Sequence, residues 1–240
     1  MDLSVQAVYI YLLGGFDSTY CGTRITLPLG AQRLLSFLAL WDRGVHRTIA
    51  AERLWPDSSV SRAAANLRSA LWRGRRIGET TVIECVGPRL RLSPSVCVDL
   101  HIHQRHAQQI LEGSFISAIP DCEALVDALS RELLPAWAED WLVLERDRWD
   151  QVRLHALEEL AQQLCSAELY LGALKTALAA IAIEPIRETA HRIFIEVHLA
   201  EGNAASALRH YQRYRALLQR ELGVGPSPRM TELASALLPS

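Results

Sequence analysis

Hydrophobic positions in the first 100 residues follow three patterns in succession. Residues 5–29 are rich in Val, Ile, Tyr, Thr and Leu with glycines between the apolar runs, which predicts short antiparallel strands. Apolar residues then recur at helical spacing, which predicts three helices at about 31–44, 46–55 and 59–76. Residues 80–93 alternate apolar and polar positions around a Gly-Pro turn and predict a β-hairpin. Three helices closed by a hairpin, with a sheet in front, predict a winged helix-turn-helix.

The same periodicities assign individual side chains to faces. The apolar faces of the first two helices contain Leu34, Leu35, Leu38 and Trp41, followed by Ile49, Ala50 and Leu54. In the hairpin, period-two alternation gives a buried face of Ile83, Cys85, Leu90 and Leu92. The side chains of Glu84, Arg89 and Arg91 are then expected to point outward.

The chain after Asp99 is predicted to be almost entirely helical. The expected helices are at about 101–112, 121–133, 139–167, 170–183, 186–200, 204–222 and 228–238. A weak repeat relates Gly172, Ala177 and Leu178 to Gly202, Ala207 and Leu208, and Ala156 to Ala190. Paired helices with small residues at their crossing, repeated at about 34 residues, are typical of tetratricopeptide repeats. The predicted fold class is therefore mixed: an N-terminal winged helix-turn-helix (α+β) followed by an all-α, tetratricopeptide-like helical domain.

Charge is distributed unevenly along the chain. The net charge is −2, but residues 1–100 carry +4 and residues 101–240 carry −6. Residues 60–92 alone contain seven arginines against two glutamates. Such asymmetry indicates a nucleic-acid partner for the basic part.

Composition indicates a globular protein without a membrane span. Half of the residues are hydrophobic, yet no apolar run approaches the ~18 residues that a span requires. The start of the sequence lacks the basic region of a secretory signal. Five scattered cysteines without a CxxC fit reduced thiols, several of them in the core. We therefore expect a cytoplasmic protein.

The third helix has the face that a DNA-reading helix requires. Turning about 100° per residue places Ala63, Ala64, Leu67, Ala70, Leu71 and Gly74 on one apolar face. The opposite and flanking positions hold Arg62, Asn66, Arg68, Ser69, Trp72, Arg73 and Arg76. Arginine binds guanine or phosphate, asparagine pairs with adenine, and serine adapts to either. Trp72 has two interpretations, packing against a neighbouring element or contacting DNA.

An arginine-rich helix face is often only solvated, so the surrounding elements decide its interpretation. Here a short helix precedes the arginine helix, and a hairpin with Arg89 and Arg91 follows it. Those two arginines are positioned to straddle an adjacent backbone or minor groove. The order of the elements favours DNA binding.

Catalytic, metal and cofactor sites are not expected. Gly14-Gly15 matches neither a GxGxxG motif nor a P-loop, and a GxSxG motif is missing. The histidines His101, His103 and His106 lack a Cys, Asp or Glu set that would complete a metal site. We therefore expect that the protein is not an enzyme.

Several motifs resemble a known family. The segments Leu54-Trp55-Pro56-Asp57 and Asn66–Arg73 are similar to the DNA-binding half of the Streptomyces antibiotic regulatory proteins. The segments Leu142–Arg148 and Glu221–Pro228 resemble their second half, the bacterial transcriptional activator domain. The resemblance covers essentially the whole chain. The chain departs from the family at two positions. Gly74 stands where a leucine is common, so a looser C-terminal turn of the third helix is expected. His46 stands where a capping serine is common, so the second helix is expected to begin at either His46 or Thr48.

The resemblance implies an OmpR-like winged helix over residues 1–99 and a bacterial transcriptional activator domain over residues 100–240. It implies an activator, without the ATPase or phosphopeptide-binding modules of longer relatives, that dimerises on direct repeats in double-stranded promoter DNA. It also implies recruitment of RNA polymerase through its sigma factor or α subunit, to secondary-metabolite gene clusters. The loop between the second and third helices would contact polymerase through Trp55, Asp57, Ser58 and Val60. The other interpretation, which does not exclude the first, is that the loop caps the third helix through Asp57, Ser58 or Ser59.

Two other function classes remain open at the level of sequence. One is a tetratricopeptide-like scaffold whose winged helix contacts protein, although such a scaffold does not need seven arginines in residues 60–92. The other is a ligand-gated regulator, which requires a cavity in the helical half.

Overall fold

The computed structural model describes residues 8–41, 43–113 and 122–235. The chain forms two compact units. The first consists of Met1–Ile102 together with Glu132–Asp147, and the second consists of His103–Arg131 together with Arg148–Ser240. Both units are therefore made of two separate stretches of sequence.

The first unit contains short strands and three helices. In chain order its elements are β1 (Val8–Tyr11), β2 (Asp17–Tyr20), β3 (Thr23–Arg24), α1 (Leu29–Ala39), β4 (Val45–His46), α2 (Arg47–Leu54), α3 (Val60–Gly74), β5 (Arg76–Ile77), β6 (Thr80–Thr81), β7 (Ile83–Val86), β8 (Arg89–Leu92) and β9 (Val96–Val98). The first sheet has the order β3-β2-β1-β9, with β9 parallel to β1 and the other pairs antiparallel. A second sheet has the order β4-β8-β7, and β5 pairs with β6.

The core of this unit forms where α1 packs against α3 and β8. Leu34, Leu35, Phe37 and Leu38 of α1 are at most 1% exposed. Ala50 and Leu54 of α2, and Leu67 and Ala70 of α3, are also buried. The structure thus has the predicted winged helix-turn-helix, with α2 and α3 as the helix pair and β7–β8 as the wing.

The second stretch of the first unit is bonded to the end of β1. The backbone N–H of Gly14 donates to the carbonyl of Glu132 at 2.7 Å, and that of Leu134 donates to Leu12 at 2.9 Å. Arg33 of α1 pairs with Glu139 at 2.6 Å. These bonds explain why residues 132–147 belong to the unit that contains the winged helix.

The helices that follow β9 are α4 (Asp99–Leu111), α5 (Cys122–Ser130), α6 (Asp140–Ser166), α7 (Tyr170–Ile183), α8 (Glu188–Ala200), α9 (Ala204–Leu222) and α10 (Pro228–Ser235). They agree with the seven predicted helices, although residue 121 and residues 236–238 of the predictions lie outside the described part of the chain. None of the described helices is long and apolar enough to cross a membrane. In the second unit, α7, α8 and α9 pack in succession, as expected for paired helical repeats.

The alanines of the predicted repeat are all buried, whereas the two glycines of the repeat do not occupy equivalent places. Ala156, Ala177, Ala190 and Ala207 are at most 1% exposed. Gly172 and Gly202 are not equivalent, because Gly172 is inside α7 and Gly202 adopts a φ of +85° in the turn after α8.

Several burial predictions were wrong. Trp41 follows the end of α1 and is 42% exposed, and Ile49 of α2 is 46% exposed. Cys85 is exposed because β7 is an edge strand, whereas its partner Leu90 on the central strand is fully buried. The five cysteines are free thiols, two of them exposed and three half-buried, so the expectation of core cysteines fails.

The predicted boundary at residues 99 and 100 does not coincide with the compact units. The break near Ile102 is close to it, but the return of Glu132–Asp147 to the first unit has no counterpart in the sequence pattern. The separation of the chain at residue 99 into two functional domains remains a prediction.

Candidate nucleic-acid interface

One side of α3 is packed and the other is open to solvent. Ala63, Leu67, Ala70 and Gly74 are buried, while the predicted core residue Leu71 is only half-buried. The opposite face exposes the residues predicted to contact DNA, namely Arg62, Arg68, Ser69, Trp72, Arg73 and Arg76. Asn66 lies at the edge of this face and is half-buried. The structure therefore places six of these predicted residues along α3, while the seventh, Arg76, lies in β5 just after the helix.

Trp72 lies at the centre of the exposed face. Its side chain is 83% exposed, so the interpretation that it packs against a neighbouring element of the first unit is wrong. An indole that remains in water leaves a large apolar surface uncovered. The other interpretation, contact with sugar or a thymine methyl group, remains a prediction.

The guanidinium groups around Trp72 are largely unpaired. Within the described residues, Arg62, Arg68 and Arg73 have neither an ion pair nor a side-chain hydrogen bond, and Arg76 donates to the carbonyl of Glu79 at 3.2 Å. Many arginines elsewhere are paired with carboxylates, such as Arg187 with Glu158 at 2.7 Å. An unpaired row of guanidinium groups attracts phosphate without first breaking an internal bond.

Two grooves flank α3 and bring predicted residues together. A groove of about 250 Å3 on the α1 side is lined by Trp55, Asn66, Ser69 and Arg73. A second groove of about 190 Å3 lies between α2 and α3, and its lining includes Arg47, Val60, Arg68 and Leu71. Sequence reasoning on α3 alone missed Arg47, because this residue comes from α2.

Arg47 lies beside the wing through strand pairing. His46 pairs with Arg89 across β4 and β8, and the N–H of Arg47 donates to the carbonyl of Pro88 at 2.9 Å. His46 is also the N-cap of α2, since its Nδ1 accepts from the N–H of Thr48 at 3.3 Å. The imidazole thus performs the capping role that serine has in the family. The basic surface extends from α3 across the start of α2 to the wing.

The two wing arginines differ in their partners. Arg91 Nη2 lies 2.6 Å from Glu84 Oε2, and this hydrogen bond lowers the pKa of the Glu84 carboxyl. Arg89 is exposed and has no such partner among the described residues. Arg89 therefore carries a free positive charge, whereas the charge of Arg91 is balanced by its neighbour.

The loop before α3 is exposed in part. Val60 is 73% exposed and Asp57 is exposed, while Trp55 and Ser58 are half-buried. The guanidinium of Arg33 lies 5.9 Å from the centre of the Trp55 ring. Ser59 is the N-cap of α3 but makes no side-chain capping bond; its Oγ lies 3.3 Å from Ser61 Oγ. The alternative that Ser59 caps α3 is therefore wrong, and Asp57 and Val60 are accessible to a partner.

The described residues contain no group of three or more His, Cys, Asp or Glu side chains suited to a metal ion. The histidine pair His103 and His106 packs edge to face, with ring centres 5.6 Å apart, and burial lowers the pKa of both.

Comparison with known proteins supports this interpretation of the fold. Residues 98–238 match the family model of the bacterial transcriptional activator domain. The regulatory protein AfsR of Streptomyces griseus is 28% identical over 197 residues, which cover 78% of this chain and 20% of the relative. The regulatory protein AfsR of Streptomyces coelicolor is 26% identical over 223 residues, which cover 89% and 22%. The chain spans about one fifth of the length of these curated relatives.

A solved structure shares the fold. Mycobacterium tuberculosis EmbR, in complex with a low affinity phosphopeptide, matches with a TM-score of 0.67 at 19% sequence identity. The match covers 96% of this chain and 64% of that chain. The arrangement of a winged helix-turn-helix followed by a helical domain is therefore shared with a known protein.

The protein is therefore a bacterial transcriptional regulator with an activator domain. Because the family model matches more than half of the chain and the fold agrees over both units, the chain belongs to the Streptomyces antibiotic regulatory protein family.

Proposed function

We propose that this regulator binds promoter DNA in a sequence-specific manner, with α3 in the major groove and the wing on the adjacent backbone. The observation that carries the proposal is the open face of α3, where Trp72 is 83% exposed among unpaired guanidinium groups. A helix with a small apolar face toward the protein and arginine, asparagine and serine away from it suits the major groove.

The individual residues have distinct proposed roles. Arg73, Ser69 and Asn66 share one groove and are placed to contact base edges together. Arg62, Arg68 and Arg76 extend the basic face and contact phosphates. Arg89 binds the backbone or minor groove next to the wing, and Arg91 contributes less because Glu84 balances its charge.

We also propose how the protein activates transcription. Two protomers occupy adjacent direct repeats in the promoter, and the loop with Trp55, Asp57, Ser58 and Val60 contacts RNA polymerase through the sigma factor or the α subunit. The target is a secondary-metabolite gene cluster. The family membership and the exposure of Asp57 and Val60 support this part.

Selection from random duplex DNA tests the DNA-binding proposal directly. The 240-residue protein is incubated with the library, bound duplexes are amplified, and the enriched sequences are assayed by fluorescence anisotropy. We expect an enriched direct repeat and affinity above that for scrambled DNA of the same length. Absence of enrichment, together with no retardation of any duplex at low salt, would contradict DNA binding and favour a protein-binding scaffold.

A further inference from the structure

A cavity of about 540 Å3 lies in the second unit among α7, α8 and α9. Its walls combine apolar, imidazole and guanidinium groups, which are supplied by Leu178, His191, Phe194, His198, Ser206, Arg209, His210, Arg213, Tyr214 and Leu217. Cavities that bind small molecules are about 300–1,000 Å3 in volume and have mostly apolar walls with a few polar groups. The size and lining of this cavity fit that description.

The fixed charge of the cavity is positive. Arg209 and Arg213 line it, and its lining contains no aspartate or glutamate. Arg209 donates to Ser206 Oγ at 2.9 Å, while Arg213 has neither a hydrogen bond nor an ion pair within the described part of the chain. Two carboxylates outside the wall act on its residues: Glu201 lies 3.7 Å from His198 Nδ1, and Glu188 acts on His191 and Tyr214. Neither is near enough to Arg209 or Arg213 to form an ion pair with it among the described residues. An anionic group is therefore the complement to this end of the cavity.

Two histidines in the wall form a hydrogen-bond chain that fixes their protons. His191 Nε2 lies 2.8 Å from the carbonyl of Pro185, and a carbonyl only accepts, so Nε2 carries the proton. In the neutral ring, His191 Nδ1 is then an acceptor, and His210 Nε2, 2.9 Å away, donates to it. His210 Nδ1 is left as an acceptor without a partner among the described residues.

Burial and aromatic contacts keep the hydrogen-bonded pair of His191 and His210 neutral and in place. His191 stacks on Tyr214 with ring centres 4.1 Å apart, and His210 lies against Phe194 at 4.2 Å. Burial lowers the pKa of His210 to about 4, with a further contribution from the charges of His191, His198 and Arg213. The cavity thus offers a positive guanidinium, an imidazole acceptor and an aromatic wall in one place.

We propose that this cavity binds a small organic anion, whose charged group pairs with Arg213 and whose apolar body carries a hydroxyl group that donates to His210. The ligand would contact α7, α8 and α9 at once, because Leu178 belongs to the first of these helices and Leu217 to the last. This site is separate from the proposed DNA-binding surface, so its test does not depend on DNA.

The test uses 4-hydroxybenzoate as the probe on the full chain with carbon-13 labelled histidine. Benzoate lacks the hydroxyl group, and 4-hydroxybenzyl alcohol lacks the charge. Because the probe has only about ten non-hydrogen atoms, we expect a Kd in the millimolar range. Saturable shifts of the His198 and His210 ring signals, with weaker binding of benzoate and of the alcohol, are the expected result.

Two matched variants locate the site. Arg213→Gln should raise the Kd of 4-hydroxybenzoate by about tenfold, because a charge-assisted hydrogen bond is lost. Arg215→Gln, an exposed position on α9 outside the cavity lining, should leave the Kd unchanged. Equal thermal transitions of both variants establish that they fold. The proposal is overturned if the histidine signals do not move, if the three probes bind alike, or if Arg213→Gln binds as well as the wild type.

Discussion

Gly74 of α3 lies against Ala31 of α1 so closely that a Cβ atom on Gly74 would be 3.2 Å from the Ala31 Cβ. Gly74 is therefore part of the contact between α1 and α3. The helix ends at this glycine, before the predicted end at Arg76, and the N–H of Arg75 donates to the carbonyl of Leu71 at 2.8 Å. The expectation that Gly74 loosens the last turn remains a prediction, and the sequence did not show how near α1 would approach this residue.

This contact makes leucine at residue 74 incompatible with the present packing. Gly74→Leu should lower the free energy of unfolding by about 1–3 kcal/mol, since a large side chain forces α1 and α3 apart. Urea unfolding followed by tryptophan fluorescence measures the change. Ala65→Leu, on the exposed face of the same helix, is the control and should remain near wild type. Equal stability of the two variants would contradict the close packing.

Salt dependence should distinguish the two wing arginines. Arg89→Ala should reduce the slope of log K against log salt by about 0.9, because one phosphate contact is lost. Arg91→Ala should change the slope less, since Glu84 already balances the charge of Arg91. Anisotropy titrations between low and physiological salt provide both slopes. A larger change for Arg91 than for Arg89 would show that the pair opens on DNA.

Arg73 is expected to determine sequence preference. If it reads a guanine, Arg73→Ala should cost about 1–3 kcal/mol and relax one base position of the selected site. Repeating the selection with the variant protein identifies that position. Unchanged affinity together with an unchanged preferred sequence would exclude α3 as the reading helix in the proposed orientation.

Trp72 should matter for binding and not for stability. Trp72→Ala removes a side chain that is 83% exposed, so the thermal transition should stay near that of the wild type. The affinity for the selected DNA should fall by about tenfold or more, as found for aromatic residues that anchor interfaces. Leu171→Ala, 70% exposed in the second unit, controls for the loss of an exposed apolar side chain. Full DNA affinity in Trp72→Ala would leave this exposed indole without a role on DNA.

The loop before α3 should affect output without affecting DNA binding. Asp57→Ala and Val60→Ala change exposed side chains that carry no positive charge, so promoter affinity should stay near that of the wild type. Transcription by purified polymerase at saturating activator should decrease, because the partner contact is weakened. Equal transcript levels from wild type and variants would move the search for the polymerase contact to the second unit.

The histidine cluster should make stability depend on pH. His210 has a pKa of about 4 when folded and an ordinary value of 6.5, so the unfolded chain binds more protons between these values. The free energy of unfolding is then highest above about pH 6.5 and falls as the pH approaches 4. His210→Gln, which can still donate to His191, should flatten this part of the profile. The exposed His155→Gln serves as control, and an identical profile for both variants would contradict the assignment.

Local patterns predicted most of the fold. Helical spacing gave α1 to α3 and the seven later helices, since each buries one face against a neighbour. The exposed face of α3 was also predicted, because it follows from helix geometry alone. Contacts between distant residues could not be predicted: Arg47 approaches Arg89 only through the pairing of β4 with β8, and His191 meets His210 only through the packing of α8 on α9.

The division of each unit into two stretches has a consequence for synthesis. The chain passes between the units after Ile102, after Arg131 and after Asp147. During translation the winged helix emerges first, but its bonds from Gly14 to Glu132 and from Arg33 to Glu139 can form only after residues 132–139 have left the ribosome. A fragment that ends at residue 99 therefore lacks residues 132–147 of its own compact unit, and we expect it to be less stable than that unit in the full chain.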